Sequence, residues 1–331
     1  MATASKQLFE RKRRDANALQ ADYTLPMIHN VMTSREWATL GALALIWGAA
    51  FSFIKIAVSH IDPLTYVWLR LSIAACGLYL FMRLRGHRLN LPLPLWGSIL
   101  VLALLNTTIP FALFGWGQQH IASGLAAILN ATSPIWAVLV AHAFTADEKL
   151  TPARLIGVLI GVMGVATMVG PDLLAGGGDL LAQLACLVAA FCYALAGVWA
   201  RRFRKLGVTP IKVATGQLLA GAFVMAPFAL AIDQPWTRLM PPAEAWAAII
   251  LLALLCSAFA YVLYFRLIDS AGATNALLVT LLVPPVAILL GTLLFGERLA
   301  TSHFLGLGLI ALGLAAIDGR LIAFALPRAR A

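Results

Sequence analysis

Charged residues are scarce in this 331-residue chain, where they make up 11% of the sequence, against about 25% in an ordinary soluble domain. Apolar residues make up 61%. A water-soluble core of this size could not bury so much apolar surface, so lipid must cover a large part of it. The scarcity of charge excludes an ordinary soluble protein and predicts an integral membrane protein.

Several chemical signatures are also missing. The four cysteines form no CxxC pair and no zinc spacing, and no HExxH element or ATP-binding loop is present. We therefore predict no metal and no cofactor, and ATP-driven transport within this chain is excluded. No Asp or Glu lies near the middle of an apolar segment, which leaves a carboxylate proton relay without a candidate. Facilitated diffusion or exchange is the mechanism that these absences favour.

The apolar residues fall into long runs separated by turn-forming residues such as Asp62-Pro63 and Gly176-Gly177-Gly178. Runs of about 19–24 residues are long enough to cross the bilayer as helices, and only helices satisfy their own backbone groups within one segment. We predict an all-α integral membrane protein with ten transmembrane helices, at residues 37–57, 64–82, 95–115, 122–144, 152–170, 180–200, 210–231, 244–266, 272–295 and 303–322.

Basic residues predict the orientation. If the N-terminus lies inside, 20 Lys and Arg residues fall in inner segments and 2 in outer segments, and Lys55 and Arg70 fall within spans. This places both termini in the cytoplasm and the protein in the cell (inner) membrane as a multi-pass protein. Residues 1–35 are expected to form a basic, disordered cytoplasmic tail without a secretory signal, and residues 323–331 a short basic tail. A start at Met32 is left open. The net charge of +10 thus reflects topology, and nucleic acid is not an expected partner.

The two halves of the chain resemble each other at an offset of about 150 residues. The matched pairs are Trp96 and Trp246, Ala126 and Ala276, Pro134 and Pro284, Glu148 and Glu297, Gly157 and Gly306, and Gly164 and Gly313. Five spans per half is an odd number, so the second half must enter the membrane from the opposite side. The repeat is therefore predicted to be inverted, with residues 36–170 as the first unit and 171–322 as the second.

The order and duplication of these motifs are similar to those of the EamA-type family in the drug/metabolite transporter superfamily. The resembling residues are Trp47-Gly48 with Phe51, Pro63 with Arg70, the repeated Glu148-Lys149-Leu150 and Glu297-Arg298-Leu299, and the matched alanines, prolines and glycines. The resemblance implies ten helices in two inverted five-helix halves, and export or exchange of small metabolites, often amino acids.

Arg70 is the most informative single residue, because a charge about seven residues into a span is costly and usually faces a cavity. We interpret it as an anchor for an anionic group of the solute; snorkelling or a structural hydrogen bond is the alternative. Lys55 lies nearer a helix end, where snorkelling is the simpler interpretation. Paired prolines mid-span predict helix breaks beside a central site. These are Pro134 in the first half and Pro284 with Pro285 in the second.

Other polar and aromatic side chains within spans complete the predicted substrate site, although interhelical packing remains an alternative for each of them. The predicted substrate-binding residues, with Arg70, are Trp47, Phe51, Asn106, Asn130, Ser133, Tyr193, Ser257, Tyr261 and Asn275. The sequence thus favours a secondary transporter of small metabolites, acting as a monomer or homodimer, with a small-molecule solute and lipid as its partners. The alternatives are a nucleoside or sugar carrier of the same architecture, and, in other classes, a membrane-embedded receptor or enzyme.

Overall fold

The structure, a computed structural model, describes residues 32–145, 150–175, 179–271, 273–276 and 278–317. Within these ranges the chain forms helices and connecting turns and no strand. The expected tails at residues 1–31 and 323–331, the pair Glu148-Lys149 and the turn at Gly176 lie outside the described residues.

The helices follow the predicted spans. They are α1 (Ser34–Val58), α2 (Pro63–Leu84), α3 (Leu93–His120), α4 (Ser123–Asn130 and Ser133–Phe144), α5 (Pro152–Ala175), α6 (Asp179–Lys205), α7 (Pro210–Asp233), α8 (Ala243–Ala253, Leu254–Phe259 and Ala260–Ala271), α9 (Ala273–Ala276 and Val279–Phe295) and α10 (Thr301–Ile317). By length and composition α1–α4 and α6–α8 could each cross a membrane, which makes seven candidate spans. Three shorter apolar helices lie within α5, α9 and α10, at Arg154–Val169, Val279–Phe295 and Thr301–Ile317. The chain is a multi-pass membrane protein.

Local sequence signals explain where several helices begin and end. Thr33 caps α1 in a reciprocal capping box with Glu36. Pro63 and Pro210 occupy the first turns of α2 and α7, where the missing N–H costs nothing. Gly86 follows α2 with a φ of 76°, a left-handed conformation that glycine adopts without a steric penalty.

The prolines act differently in α4 and α9. In α4 the helix is interrupted after Asn130, and Pro134 lies in the first turn of the second piece. In α9, by contrast, the helix begins again at Val279 and continues through Pro284 and Pro285. Both prolines that predict a break thus lie inside the helix Val279–Phe295. A proline inside a helix removes one hydrogen bond and bends the axis, but packing can hold the helix together, and Pro284 is buried here.

Glycines bring α5 and α10 into close contact. A Cβ at Gly157 would lie 2.5 Å from the carbonyl oxygen of Gly313, and a Cβ at Gly164 would lie 2.8 Å from that of Gly306. These distances are too short for any side chain, so the backbones touch where only glycine fits.

The buried apolar side chains of the described residues form two large cores and a smaller one. The first core joins α1, α4, α6 and α9 with parts of α5, α8 and α10, and the second joins α1, α2, α7 and α8. The smaller core joins α3 and α6. Helix α3 contributes Phe114 to the first core and Phe111 to the second. Large apolar side chains also face outward, such as Phe223, which is 82% exposed, as expected where lipid is the solvent.

Candidate functional site

Arg70 lies inside the bundle rather than at its surface, with only 5% of the residue exposed. Its Nη1 donates to the phenolic oxygen of Tyr66 at 2.8 Å, and its Nε and Nη2 each lie 3.3 Å from Oγ of Ser257. The guanidinium carbon is 3.7 Å from the ring centroid of Phe111. The ion pairs among the described residues do not include Arg70. A buried cation is thus held by neutral dipoles and a π face, without a carboxylate.

Ser257 reaches Arg70 because α8 changes its winding. Residues Leu254–Phe259 form a π-helical turn, and Leu104–Thr108 form another in α3, 150 residues earlier. Such turns are wider than α-helical turns and are frequent at functional sites. Ser257 Oγ donates to the carbonyl of Leu252 at 2.9 Å, which leaves its lone pairs for the guanidinium.

Asn106, in the π turn of α3, contacts two residues of the second half. Its Nδ2 donates to Oε1 of Gln217 at 3.1 Å and lies 3.5 Å from the phenolic oxygen of Tyr261. Tyr261 lies four residues after Ser257 on α8, so the two side chains share one face of that helix. The six side chains Tyr66, Arg70, Asn106, Gln217, Ser257 and Tyr261 form what we call the polar cluster, to which α2, α3, α7 and α8 all contribute.

Aromatic rings extend from the polar cluster. Phe114 contacts Phe51 edge-on at 5.8 Å and stacks on Tyr193 at 6.2 Å. Trp47 packs against Tyr264 at 5.2 Å. The Nε1 of Trp47 donates to the carbonyl of Cys256 at 3.1 Å, so its polar atom is already used in fastening α1 to the π turn of α8.

A cavity of about 500 Å³ opens at the end of α2 where Arg85 lies. The twelve residues that line it come from α2, α7, α8 and the segment after α2, and Tyr261 of the polar cluster is among them. Its lining residues are Leu78, Phe81, Arg85, His87, Thr209, Pro210, Ile211, Ala214, Tyr261, Val262, Phe265 and Arg266. The cavity therefore borders the polar cluster at Tyr261.

The opposite end of α2 is closed by polar contacts. The N–H of Thr65 donates to Oδ2 of Asp233 at 2.7 Å, and Arg238 pairs with Asp62 at 2.9 Å. Both contacts fasten the start of α2 to the end of α7 and the segment that follows it.

Two more polar contacts join the helices at this closed end. Lys55 Nζ donates to the carbonyls of Gln118 at 2.7 Å and Ile121 at 3.2 Å, so Lys55 caps the end of α3 instead of snorkelling. Glu297 accepts from the N–H of Ser123 at 2.8 Å and from its hydroxyl at 2.9 Å, which caps the start of α4.

The structure brings some of the predicted site residues together and leaves others apart. Arg70, Asn106, Ser257 and Tyr261 belong to the polar cluster, and Phe51 and Tyr193 to the adjoining rings. Ser133 Oγ donates to the carbonyl of Asn130, and Asn275 Nδ2 donates to the carbonyl of Ala271. These bonds are local to their own helices and do not reach the polar cluster.

Sequence reasoning missed three residues of the site, namely Tyr66, Phe111 and Gln217. Tyr66 precedes Arg70 by four residues, so a helical face places the two side chains together. Gln217 is an isolated amide in an apolar span, which is itself a signal for a functional position. Phe111 carries no such signal, because an aromatic residue in an apolar run is unremarkable.

Comparison with known proteins agrees with this architecture. The sequence profile described as the EamA-like transporter family matches residues 37–170 and again residues 180–317. "Uncharacterized transporter YoaV" of Bacillus subtilis is 26% identical over 280 residues, covering 82% of this chain and 93% of the relative. "Uncharacterized inner membrane transporter YedA" of Escherichia coli K12 is 29% identical over 284 residues, covering 83% of this chain and 87% of the relative.

A solved crystal structure, titled "Crystal structure of protein", aligns with a TM-score of 0.64 at 19% identity, over 89% of this chain and 100% of the other. At this identity the likeness concerns the fold alone. Because the family profile matches both halves and covers most of the sequence, the chain belongs to the EamA-like transporter family, a family of multi-pass membrane transporters.

Proposed function

We propose that this protein is a secondary transporter that carries a small solute by alternating access, and that the solute binds at the polar cluster. The observation that carries this proposal is the buried guanidinium of Arg70, which lies between helices of both halves and has no carboxylate partner in the part of the chain that the structure describes. Burying a charged side chain within a span costs free energy, and such residues are typically found where they bind a solute or an ion.

The architecture in this proposal is ten spans in two inverted repeats, at residues 36–170 and 171–322. Exchange of the two halves maps the Gly157–Gly313 contact onto the Gly164–Gly306 contact, as a pseudo-twofold axis requires. The π turns of α3 and α8 are likewise separated by 150 residues. Such repeats are a recurrent plan of secondary transporters, with the solute site at the interface of the halves.

We further propose that both termini are cytoplasmic, on the strength of the basic residues. The cavity lined by Arg85, His87 and Arg266 then faces the cytoplasm, and the Asp62 end of α2 faces outward. The structure would correspond to an inward-open state, in which the contacts of Lys55, Asp233 and Glu297 close the outer side.

In this proposal the protein exports or exchanges small metabolites, and amino acids are one candidate class. A nucleoside or sugar carrier would use the same architecture. A receptor or an enzyme has less support, since the polar cluster holds no nucleophile with an adjacent base.

The test compares cells that lack the protein with cells that overproduce it, measuring metabolites inside the cell and in the medium. A solute that is retained without the protein and released with it identifies both cargo and direction. Release of this solute should be lost in the Arg70→Gln variant. It should be kept in Arg83→Gln, a matched variant at an exposed position of the same helix. No difference in any solute between the two cell types would overturn the proposal.

Orientation is tested separately. A membrane-impermeant thiol reagent should label a cysteine introduced at Arg238 from outside intact cells, and one introduced at His87 only after the cells are opened. The reverse pattern would contradict the proposed topology.

A further inference from the structure

We infer that the solute is a small monocarboxylate anion with an aromatic or branched apolar body, and that it is bound in preference to the zwitterion that carries an additional α-amino group. This inference rests on the proposed function and narrows the solute class of the same site.

The first support is the charge balance of the polar cluster. A guanidinium has five N–H donors, and three of those of Arg70 are used by Tyr66 and Ser257. The hydrogen-bond partners of Arg70 are the neutral hydroxyl groups of Tyr66 and Ser257, and its guanidinium pairs with no carboxylate among the described residues. A carboxylate is the ligand that would neutralise the buried charge and occupy the two remaining donors.

The same arrangement disfavours an ammonium group beside that carboxylate. An α-amino cation would need a carboxylate, free carbonyl oxygens or an open π face. The amide oxygen of Gln217 already accepts from Asn106, and one π face of Phe111 is covered by Arg70, which leaves the amide oxygen of Asn106 as a neutral acceptor beside the guanidinium. In the described part of the chain, the polar cluster holds a cation and no acidic side chain.

The second support is the cavity that leads to the polar cluster. Three of its lining side chains, Arg85, His87 and Arg266, are basic and none is acidic. A cleft lined by one sign of charge concentrates solutes of the opposite sign. Arg85 and Arg266 line the cavity, whereas the neighbouring Arg83 and Arg88 do not. Substitutions at the two pairs can therefore distinguish an effect of the cavity's charge from an effect of the basic residues on membrane topology.

The apolar part of the lining indicates the body of the solute. Besides the basic side chains, the cavity is lined by apolar ones, among them Phe81, Ile211 and Phe265. The ring of Phe265 stacks on that of Tyr261, with 6.1 Å between their centroids. A cavity of about 500 Å³ falls within the range of small-molecule sites. A single carboxylate on an aromatic or branched hydrocarbon matches this combination of surfaces.

The experiment uses the purified full chain in lipid nanodiscs, which present both faces to solution. Binding is measured by calorimetry for two matched pairs, 3-phenylpropionate with L-phenylalanine and 4-methylpentanoate with L-leucine. The members of each pair differ only by the α-amino group. The amine 2-phenylethylamine, which lacks the carboxylate, completes the series.

We expect at least one of the two anions to bind about tenfold or more tightly than its amino acid partner, the difference that a single lost charge interaction produces. Arg70→Gln should abolish this binding, and Arg83→Gln should leave it unchanged. The double variant Arg85→Gln/Arg266→Gln should slow anion association several-fold at low salt and flatten its salt dependence, while Arg83→Gln/Arg88→Gln should not.

Equal or tighter binding of the amino acids would overturn the inference. If that binding depended on Arg70, the proposed transport function would still stand. Binding of none of the five probes, with a transported solute still found in the cell comparison, would also overturn the inference and not the function. Failure of the cell comparison itself would overturn the proposed function.

Discussion

The Nη1 group of Arg70 donates a 2.8 Å hydrogen bond to the phenolic oxygen of Tyr66, one helical turn earlier on α2. Tyr66 is fully buried, so no water can replace its hydroxyl. Tyr66→Phe should therefore leave one guanidinium donor unsatisfied and destabilise the protein by about 1.5–3 kcal/mol. Thermal unfolding of the purified variant measures this, with Tyr79→Phe as the control, since Tyr79 is an exposed residue of the same helix. Equal melting temperatures for the two variants would contradict the structural role of Tyr66.

The hydroxyl of Ser257 accepts from Arg70 and orients the guanidinium. Ser257→Ala should misplace the charge and weaken solute binding about tenfold, which corresponds to about 1.4 kcal/mol. Ser257→Thr keeps the hydroxyl, and threonine occupies the corresponding position of the other π turn at Thr107. We expect Ser257→Thr to retain binding close to wild type. A threonine variant as impaired as the alanine variant would show that the hydroxyl is not what matters.

The close contact of α5 and α10 depends on Gly306. A Cβ there would lie 2.7 Å from the carbonyl of Gly164 and would also clash with Met168, whereas a Cβ at Gly308 would have no neighbour within 4 Å. Gly306→Ala should lower the free energy of unfolding by about 1–3 kcal/mol because the helices must separate. Gly308 lies two residues further along α10, on nearly the opposite face of the helix. Gly308→Ala should therefore be neutral or slightly stabilising. Thermal unfolding of the two purified variants measures this difference. A Gly306→Ala variant that melts at the same temperature as Gly308→Ala would contradict the close contact.

Glu297 joins the two halves by capping α4. It accepts from the N–H of Ser123 at 2.8 Å and from that of Gly124 at 3.3 Å. Glu297→Gln removes the charge at a helix N-terminus and should cost about 1–2 kcal/mol in thermal unfolding experiments. Glu244→Gln is the control, because the Glu244 side chain is 66% exposed and lies beside His60 at 3.3 Å. A Glu297→Gln variant no less stable than the control would contradict the capping role.

Lys55 closes the end of the bundle that lies away from the cavity. Its ammonium donates to the carbonyls of Gln118 and Ile121, and Cys186 is buried nearby against Gly117. Lys55→Met should release this closure and favour the open state by about 1–2 kcal/mol. A chain that keeps Cys186 as its one cysteine should then be labelled about tenfold faster by an impermeant maleimide from outside cells.

The control for this experiment is Lys205→Met, at an exposed position of α6 far from the closure. Labelling of Cys186 at the wild-type rate in Lys55→Met would mean that the two carbonyl contacts do not hold this end shut.

Some parts of the site could be predicted from the sequence because they break its pattern. Arg70, Asn106 and Ser257 are polar residues in apolar spans, where burial is costly, and the structure brings them together. Gln217 follows the same rule and could have been found by it. Asn275 also follows it, but its Nδ2 donates to the carbonyl of Ala271 in the preceding turn, as such side chains readily do. Asn130 follows it as well, and its side-chain oxygen is buried without a hydrogen-bond partner among the described residues.

Other features depend on contacts that no local pattern encodes. The π turn at Leu254–Phe259 arises where Trp47 of a distant helix donates to the carbonyl of Cys256. Pro284 and Pro285 predict a break, yet α9 continues through both of them, with Pro284 buried in the bundle and Pro285 exposed.

Composition and the internal repeat suffice to identify this chain as a helical membrane protein of the EamA-like family, since its long apolar runs leave the backbone few other states in lipid and its two halves each carry the family pattern. Which polar side chains meet around Arg70, and at which end of α2 a cavity opens, became visible only in the folded bundle. Interhelical geometry depends on packing between residues more than 100 positions apart, such as Asn106 with Gln217 and Arg70 with Ser257, and periodicity along one helix does not specify such contacts.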